Sequence, residues 1–334
     1  MRLLFDTPLL RRTVTVTAVF LTFVTVTILA PLILLTALTI DVVRRASSGK
    51  PLMALRMVSF GWLYLLGEVW GLLFLALTAP PSQSRSSRMT YRLQSAWAAW
   101  NFRAVRTLFD LDFSARGTEL ISPGPAIILS RHASLIDTLL PTWFVARPTG
   151  LRLRYVLKNE LLWDPALDIA GSRLPNHFVD RGAADATHDL EAIRALASNL
   201  TARDAVLIYP EGTRFSEEKR QRYVSRYANR TGALSDIAID FRNVLPPRPK
   251  GTLAILEGSD ADVLILAHRG LEGFARVKDI WEGGIVGSRI DVLFRRVNRA
   301  EIPTDRSDRA LWLFEAWRDI DVWVGGEEPV PDMA

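Results

Sequence analysis

Ala126-Ile127-Ile128-Leu129-Ser130, followed at once by Arg131-His132-Ala133-Ser134-Leu135-Ile136-Asp137, is the stretch on which the fold of this 334-residue chain turns. It is entered from the turn signal Pro123-Gly124-Pro125. An uncharged run this short is too brief for a helix and reads as a strand buried on both faces. The same pattern recurs outward from it. Arg152–Leu157, His177–Asp180, Ala205–Tyr209, Val263–Ala267 and Ile290–Arg296 read as strands, and Ser134–Val145, Asp185–Asn199 and Asp308–Val324 as helices. This alternation predicts an α/β fold, a largely parallel sheet flanked by helices, with ligands at the carboxyl ends of the strands.

The N-terminal third differs. Thr13 to Ile40 holds no charge over 28 residues, and Met57 to Ala79 holds one, Glu68, over 23. Each is long enough to cross a bilayer. The first is too long for a signal peptide and ends without a cleavage site. Basic residues flank both runs: Arg2, Arg11 and Arg12, then Arg44, Arg45, Lys50 and Arg56, then Arg85, Arg88 and Arg92. Two full crossings would put the middle cluster outside, against the positive-inside tendency, and Glu68 is costly in hydrocarbon. A membrane-embedded helical hairpin dipping into one leaflet keeps all three clusters on the cytoplasmic side and is the expectation, with two true spans as the open alternative. Tyr91–Phe109 then reads as an amphipathic helix, with Trp97 and Trp100 among arginines, fit for a membrane interface or for packing on the domain that follows. The expected division is 1–88 as membrane anchor, 89–110 as interfacial helix and 111–334 as the α/β domain.

Composition excludes several classes. There is no cysteine, hence no disulfide, thiolate metal site or Cys nucleophile. Residues 1–110 carry 12 Lys/Arg against 4 Asp/Glu, leaving 29 against 32 for the rest, so the basic half is the apolar half. That suits an anionic lipid surface rather than nucleic acid.

Three groups of residues follow strand-like segments and carry chemistry. His132 is followed five residues later by Asp137. Imidazole titrates near neutrality and suits proton removal from an alcohol, with a carboxylate fixing its tautomer. The bland alternative is a capping box, Ser134 as N-cap and Asp137 at N3. Tyr209-Pro210-Glu211-Gly212-Thr213-Arg214 offers a glycine for close approach and a planar donor fork for phosphate, with Glu211 able to orient Arg214 or meet a substrate hydroxyl. The bland alternative there is a turn with a surface ion pair. Phe178-Val179-Asp180-Arg181-Gly182 offers a second arginine, Arg181, which otherwise reads as a solvated side chain.

In this order the groups resemble the glycerolipid acyltransferase family, which includes the 1-acylglycerol-3-phosphate acyltransferases. Its hallmark motifs, His-x4-Asp and Glu-Gly-Thr-Arg, stand here as His132/Asp137 and Glu211-Gly212-Thr213-Arg214, 79 residues apart. The long segment from Phe215 to Pro247-Arg248-Pro249-Lys250-Gly251, with Ile302-Pro303-Thr304-Asp305 and the helix bearing Trp312, Trp317 and Trp323, is similar to the lysocardiolipin and lysophospholipid branch. The resemblance covers about residues 105–325. It implies His132 as general base with Asp137 as partner, and Arg181, Glu211, Gly212, Thr213, Arg214 and Lys250 around the acceptor. It implies no metal or prosthetic cofactor. The donor would be acyl-CoA or an acyl-carrier protein, the acceptor a lysophospholipid, and the location a bacterial inner membrane with the site facing the cytoplasm. Asp262–Ala267 lacks the proline many relatives carry there, which leaves acceptor and acyl-chain preference open. Alternatives are acylation of another lipid acceptor, or a non-catalytic lipid-binding module.

Several outcomes are expected on this reading. Replacing His177, His188 or His268 should be tolerated far better than replacing His132. Asp137→Asn should abolish activity and barely move the melting temperature. Backbone amides near Ser134, or an arginine, should stabilise the oxyanion.

Overall fold

The structure is a computed structural model that describes residues 7–78, 83–179, 187–229 and 231–326. Asp180, Arg181 and Gly182 therefore lie outside the described residues, as do the first two residues of the helix expected from Asp185. Seven strands run along the described chain: β1 (Asp112–Arg116), β2 (Ala126–Ser130), β3 (Arg152–Lys158), β4 (His177–Val179), β5 (Asp204–Ile208), β6 (Asp262–Arg269) and β7 (Arg289–Val297). The chain divides into two compact units, residues 1–111, 157–182 and 278–288 forming one and residues 112–156, 183–277 and 289–334 the other.

In the first unit the long apolar run is two helices rather than one, α1 (Pro8–Ile28) and α2 (Ala30–Ser48). The break follows from Pro31, which has no N–H to bond Thr27 and whose ring would clash with that carbonyl. Leu29 takes φ −85° and ψ 2° at the junction. Next come α3 (Met53–Leu77), α4 (Gln83–Leu108) and α5 (Pro165–Arg173). Helix α4 begins well before the expected Tyr91. The carboxylate of Asp41, fully buried, accepts the backbone N–H groups of Ala54 and Leu55 at 2.8 and 2.9 Å, a remote cap on α3. Glu68, also buried, accepts from Trp97 Nε1 of α4 at 2.9 Å through Oε1, which offsets part of the expected cost of its burial.

The basic clusters of this unit are largely engaged. Arg11 and Arg12 each pair with buried Asp168 at 2.9 Å. Arg44 stacks over Trp281 at 3.9 Å and donates to its carbonyl, Lys50 pairs with Glu282, and Arg56 donates to the carbonyl of Leu108. Helices α1 and α3 are each long and apolar enough to cross a membrane by length and composition. Their outward apolar side chains remain uncovered, Ile28 at 71%, Leu32 of α2 at 62% and Trp70 at 66% exposure.

The second unit holds the sheet. Its strands lie in the order β1-β7-β6-β2-β5-β3. Every pairing is parallel except that of β6 with β7. Central β2 and β5 are buried throughout, which is why they read as unbroken apolar runs. Helices α6 (Thr187–Ala197), α9 (Pro249–Gly258) and α10 (Arg306–Val324) pack on the strands, and α10 buries Phe314, Trp317 and Trp323. Two short helices, α7 (Glu217–Ala228) and α8 (Ala233–Ala238), fill the segment after Arg214. The helix expected over Ser134–Val145 is instead a tight 3-10 turn, Ile136–Leu139, followed by a wide π turn, Pro141–Ala146. Pro141 cannot donate to the carbonyl of Asp137, and Leu140 bonds that carbonyl in its place, so an α-helix cannot pass through this point.

Candidate active site

The carboxyl ends of three neighbouring parallel strands, β6, β2 and β5, meet in one place. The chain leaving β2 bends at Arg131, whose N–H still bonds Leu266 O of β6 at 2.9 Å, and delivers His132 into a loop. His132 Nδ1 lies 2.8 Å from Asp137 Oδ1. Asp137 Oδ2 accepts the backbone N–H groups of Ala133 and Ser134 at 2.6 and 2.7 Å. One carboxylate thus carries both readings of the sequence, capping the turn and orienting the imidazole. It is fully buried, while the imidazole is 11% exposed. With Nδ1–H given to Asp137, the Nε2 lone pair is free to act as a base. The Ala133 and Ser134 amides are spent on Asp137, which removes these two as oxyanion donors and leaves the alternative of an arginine.

Burial alone would raise the Asp137 carboxyl. The charge and hydrogen bond of His132, reinforced by His268, outweigh it and hold the group well below the ordinary carboxylate range.

The chain leaving β5 delivers the second motif. Gly212 takes φ 68°, the left-handed region that favours glycine, and its N–H bonds Tyr209 O at 2.8 Å. The ring of Tyr209 lies against the His132 imidazole, centroids 4.5 Å apart. Glu211 does not meet Arg214. It is fully buried, and its oxygens accept the backbone N–H groups of His132 at 3.0 Å and Leu245 at 3.3 Å. Burial pushes its pKa up to about 7, opposed by the charge of Arg131 and by those two amide bonds. Phe215 N–H bonds His132 O at 2.9 Å, so both backbone polar groups of His132 are held by the second motif.

Arg214 is half-buried, and no hydrogen bond or ion pair engages its guanidinium among the described residues. Lys219 Nζ donates to Thr213 Oγ1 at 3.1 Å and Arg214 O at 2.8 Å. Burial and the guanidiniums of Arg214 and Arg276 hold the Lys219 ammonium below its ordinary value, the mark of positive charge gathered at one spot. Lys250 is exposed in the first turn of α9, whose approach is fixed by Arg248 N–H on Pro210 O at 2.8 Å. Arg181 lies outside the described residues.

Sequence reasoning missed Lys219, Arg131 and His268. Arg131 is fully buried, donating to His268 O at 2.5 Å and Asn243 O at 2.8 Å and pairing with Glu272. His268 is fully buried, its Nε2 3.4 Å from Asp137 Oδ2. Its signal was available, since it ends a buried strand of a parallel sheet, where ligand-facing residues collect.

The acyltransferase family model matches residues 112–248. The 1-acyl-sn-glycerol-3-phosphate acyltransferase epsilon of Mus musculus is 26% identical over 210 residues, 57% of this chain and 54% of that protein. The 1-acyl-sn-glycerol-3-phosphate acyltransferase of Pseudomonas aeruginosa is 30% identical over 147 residues, 44% of this chain and 53% of its own length. The chain thus spans about half the length of the curated relatives it matches. Among solved structures, the 1-acyl-sn-glycerophosphate acyltransferase PlsC of Thermotoga maritima superposes with a TM-score of 0.56 at 14% identity, covering 83% of this chain and 98% of that one, a likeness of fold.

Proposed function

We propose that this chain is a 1-acylglycerol-3-phosphate acyltransferase-like glycerolipid acyltransferase, which moves a fatty acyl group from a thioester to the free hydroxyl of 1-acylglycerol 3-phosphate, giving phosphatidate. The observation that carries the reading is the His132–Asp137 pair beside an Arg214 left without a partner among the described residues.

His132 Nε2 takes the hydroxyl proton as the oxygen attacks the thioester carbonyl, and Asp137 stabilises the imidazolium. The carbon–sulfur bond breaks and the thiolate leaves, taking a proton from the imidazolium or from water. No acyl-enzyme forms. Arg214 grips the acceptor phosphate with its planar fork, supported by Lys219, Arg181 and Lys250, while Gly212 and Thr213 line the approach. Glu211 acts from behind, bracing the backbone of His132. The donor is acyl-CoA or an acyl-carrier protein.

Helices α1 to α3 lie in one leaflet of a bilayer, a bacterial inner membrane with the site facing the cytoplasm. The engagement of Arg11, Arg12, Arg44, Lys50 and Arg56 by partners in the same unit supports a hairpin over two crossings.

Thioester consumption by the purified full chain in detergent, with lysophosphatidate and a panel of other lyso-acceptors, tests this. Turnover with lysophosphatidate, lost about 10²–10⁴-fold in His132→Ala, is the expected result. Turnover confined to another acceptor gives a different lipid acyltransferase, and none with any acceptor gives a lipid-binding protein.

A further inference from the structure

Strands β2 and β6 pair in parallel with Ser130 opposite Leu266. His132 and His268 each stand two residues further along their chains, so the sheet register brings two imidazoles to one level with Asp137 between them. His132 Nδ1 is 2.8 Å from Asp137 Oδ1, and His268 Nε2 is 3.4 Å from Asp137 Oδ2. His268 Nε2 is also 3.3 Å from Arg131 O. Both neighbours are acceptors, so the ring proton sits on Nε2, shared between them; the opposite tautomer would set a lone pair against two acceptors. Nδ1 is then a buried lone pair with no partner among the described residues.

That orphan is informative. A histidine kept only to fill volume would be better replaced by leucine, which occupies the space without burying an unpaired polar atom. The backbone of His268 is pinned as well, since its carbonyl accepts from Arg131 Nη1 at 2.5 Å while the same guanidinium pairs with Glu272. The ring itself is fully buried, so close packing holds its rotamer. What it offers at this place is a donor to Asp137.

We propose that His268 is a positioning residue for the acyl transfer, its Nε2–H completing the donors on Asp137 Oδ2 and so holding the carboxylate whose Oδ1 orients His132. The proposal rests on the reading of His132 as general base. The titratable and charged groups facing His268 are Asp137, Arg131 and Glu272, with His132 across the carboxylate. Without the His268 donor, the charge on Asp137 is less compensated and acts more strongly on the His132 imidazolium. The carboxylate is also freer to turn, and the imidazole is less well aimed.

The test uses the full chain in detergent with ring-labelled histidine. In His268→Leu the His132 ring, followed by NMR, is expected to titrate higher by about half a unit to one unit. The acid limb of kcat/KM should move up with it. Turnover should fall about tenfold, with KM for donor and acceptor unchanged, the pattern of a lost alignment. His268→Gln, whose side-chain N–H can reach the same acceptors, should restore the titration and the rate. A His268→Leu chain with wild-type His132 titration and turnover overturns the proposal, as does a His268→Gln chain no better than leucine. Should leucine prevent folding, His268→Met takes its place in the same comparison. The ring titration needs no turnover, so a His132→Ala chain with normal activity would refute the base assignment while leaving the coupling between the two histidines readable.

Discussion

Glu211 Oε1 accepts the backbone N–H of His132 at 3.0 Å, a bond that spans 79 residues of chain. The two motifs that define the site are therefore one object. The carboxylate of the second motif holds the backbone that carries His132 of the first, and it is unavailable to pair with Arg214.

The raised pKa of Glu211 makes stability depend on pH. The group ionises near 4.5 when unfolded and near 7 when folded. Between those values the unfolded chain loses the proton first, so this residue's contribution falls as pH rises from about 4.5 to about 7 and is level outside that window. Glu211→Gln is neutral throughout and removes that slope. It also sets an N–H₂ donor against the N–H of Leu245 or His132, at a cost of about 1–3 kcal/mol. Denaturant midpoints from pH 4 to pH 8 for both chains read the two effects separately.

Asp137→Asn abolishes more than activity. The carboxylate accepts from Ala133, Ser134 and His132, and one carboxamide oxygen cannot serve them all. The expectation of an unmoved melting temperature gives way to a stability loss of about 2–4 kcal/mol alongside the loss of turnover. Calorimetry and initial rates on the same preparation decide; a variant melting like wild type would refute the shared-carboxylate account.

Arg214→Lys keeps the charge and loses the fork. The acceptor KM should rise about tenfold or more, the donor KM staying within about twofold. An equal rise in both would instead mean that Arg214 holds its loop together.

A cysteine placed at Ser48, exposed in this cysteine-free chain, reports the topology. In intact cells the hairpin reading expects an impermeant thiol reagent to leave it unlabelled until the membrane is opened. Labelling from outside would establish two crossings.

The α/β sheet was legible because its central strands are buried on both faces and so write themselves as apolar runs, β2 and β5 above all. Edge strand β1, Asp-Phe-Ser-Ala-Arg, has no such signature and went unread. Local chemistry decided other departures, as at Pro31 and Pro141, where a missing N–H broke a run that hydropathy alone would continue. In the site, His132 and Asp137 were legible because five residues separate them. For His268 only its place at the end of an apolar strand was legible; its approach to Asp137 is created by the pairing of β2 with β6, a relation that no window along the chain contains. The role of Glu211 was hidden for the same reason: its partners are backbone amides, which leave no mark in side-chain spacing.

The pairing of Arg11 and Arg12 with buried Asp168 has a bearing on biochemical fractionation. Asp168 cancels one of these two charges and Glu282 that of Lys50, whereas Arg44 and Arg56, bonded to backbone carbonyls, keep theirs, so the attraction to anionic headgroups is reduced rather than lost. On the membrane reading, the uncovered leucines, isoleucines and valines of α1 and α2 supply a further hold that salt does not screen. High-salt washes leave such a protein in the membrane pellet, and detergent brings it into the supernatant.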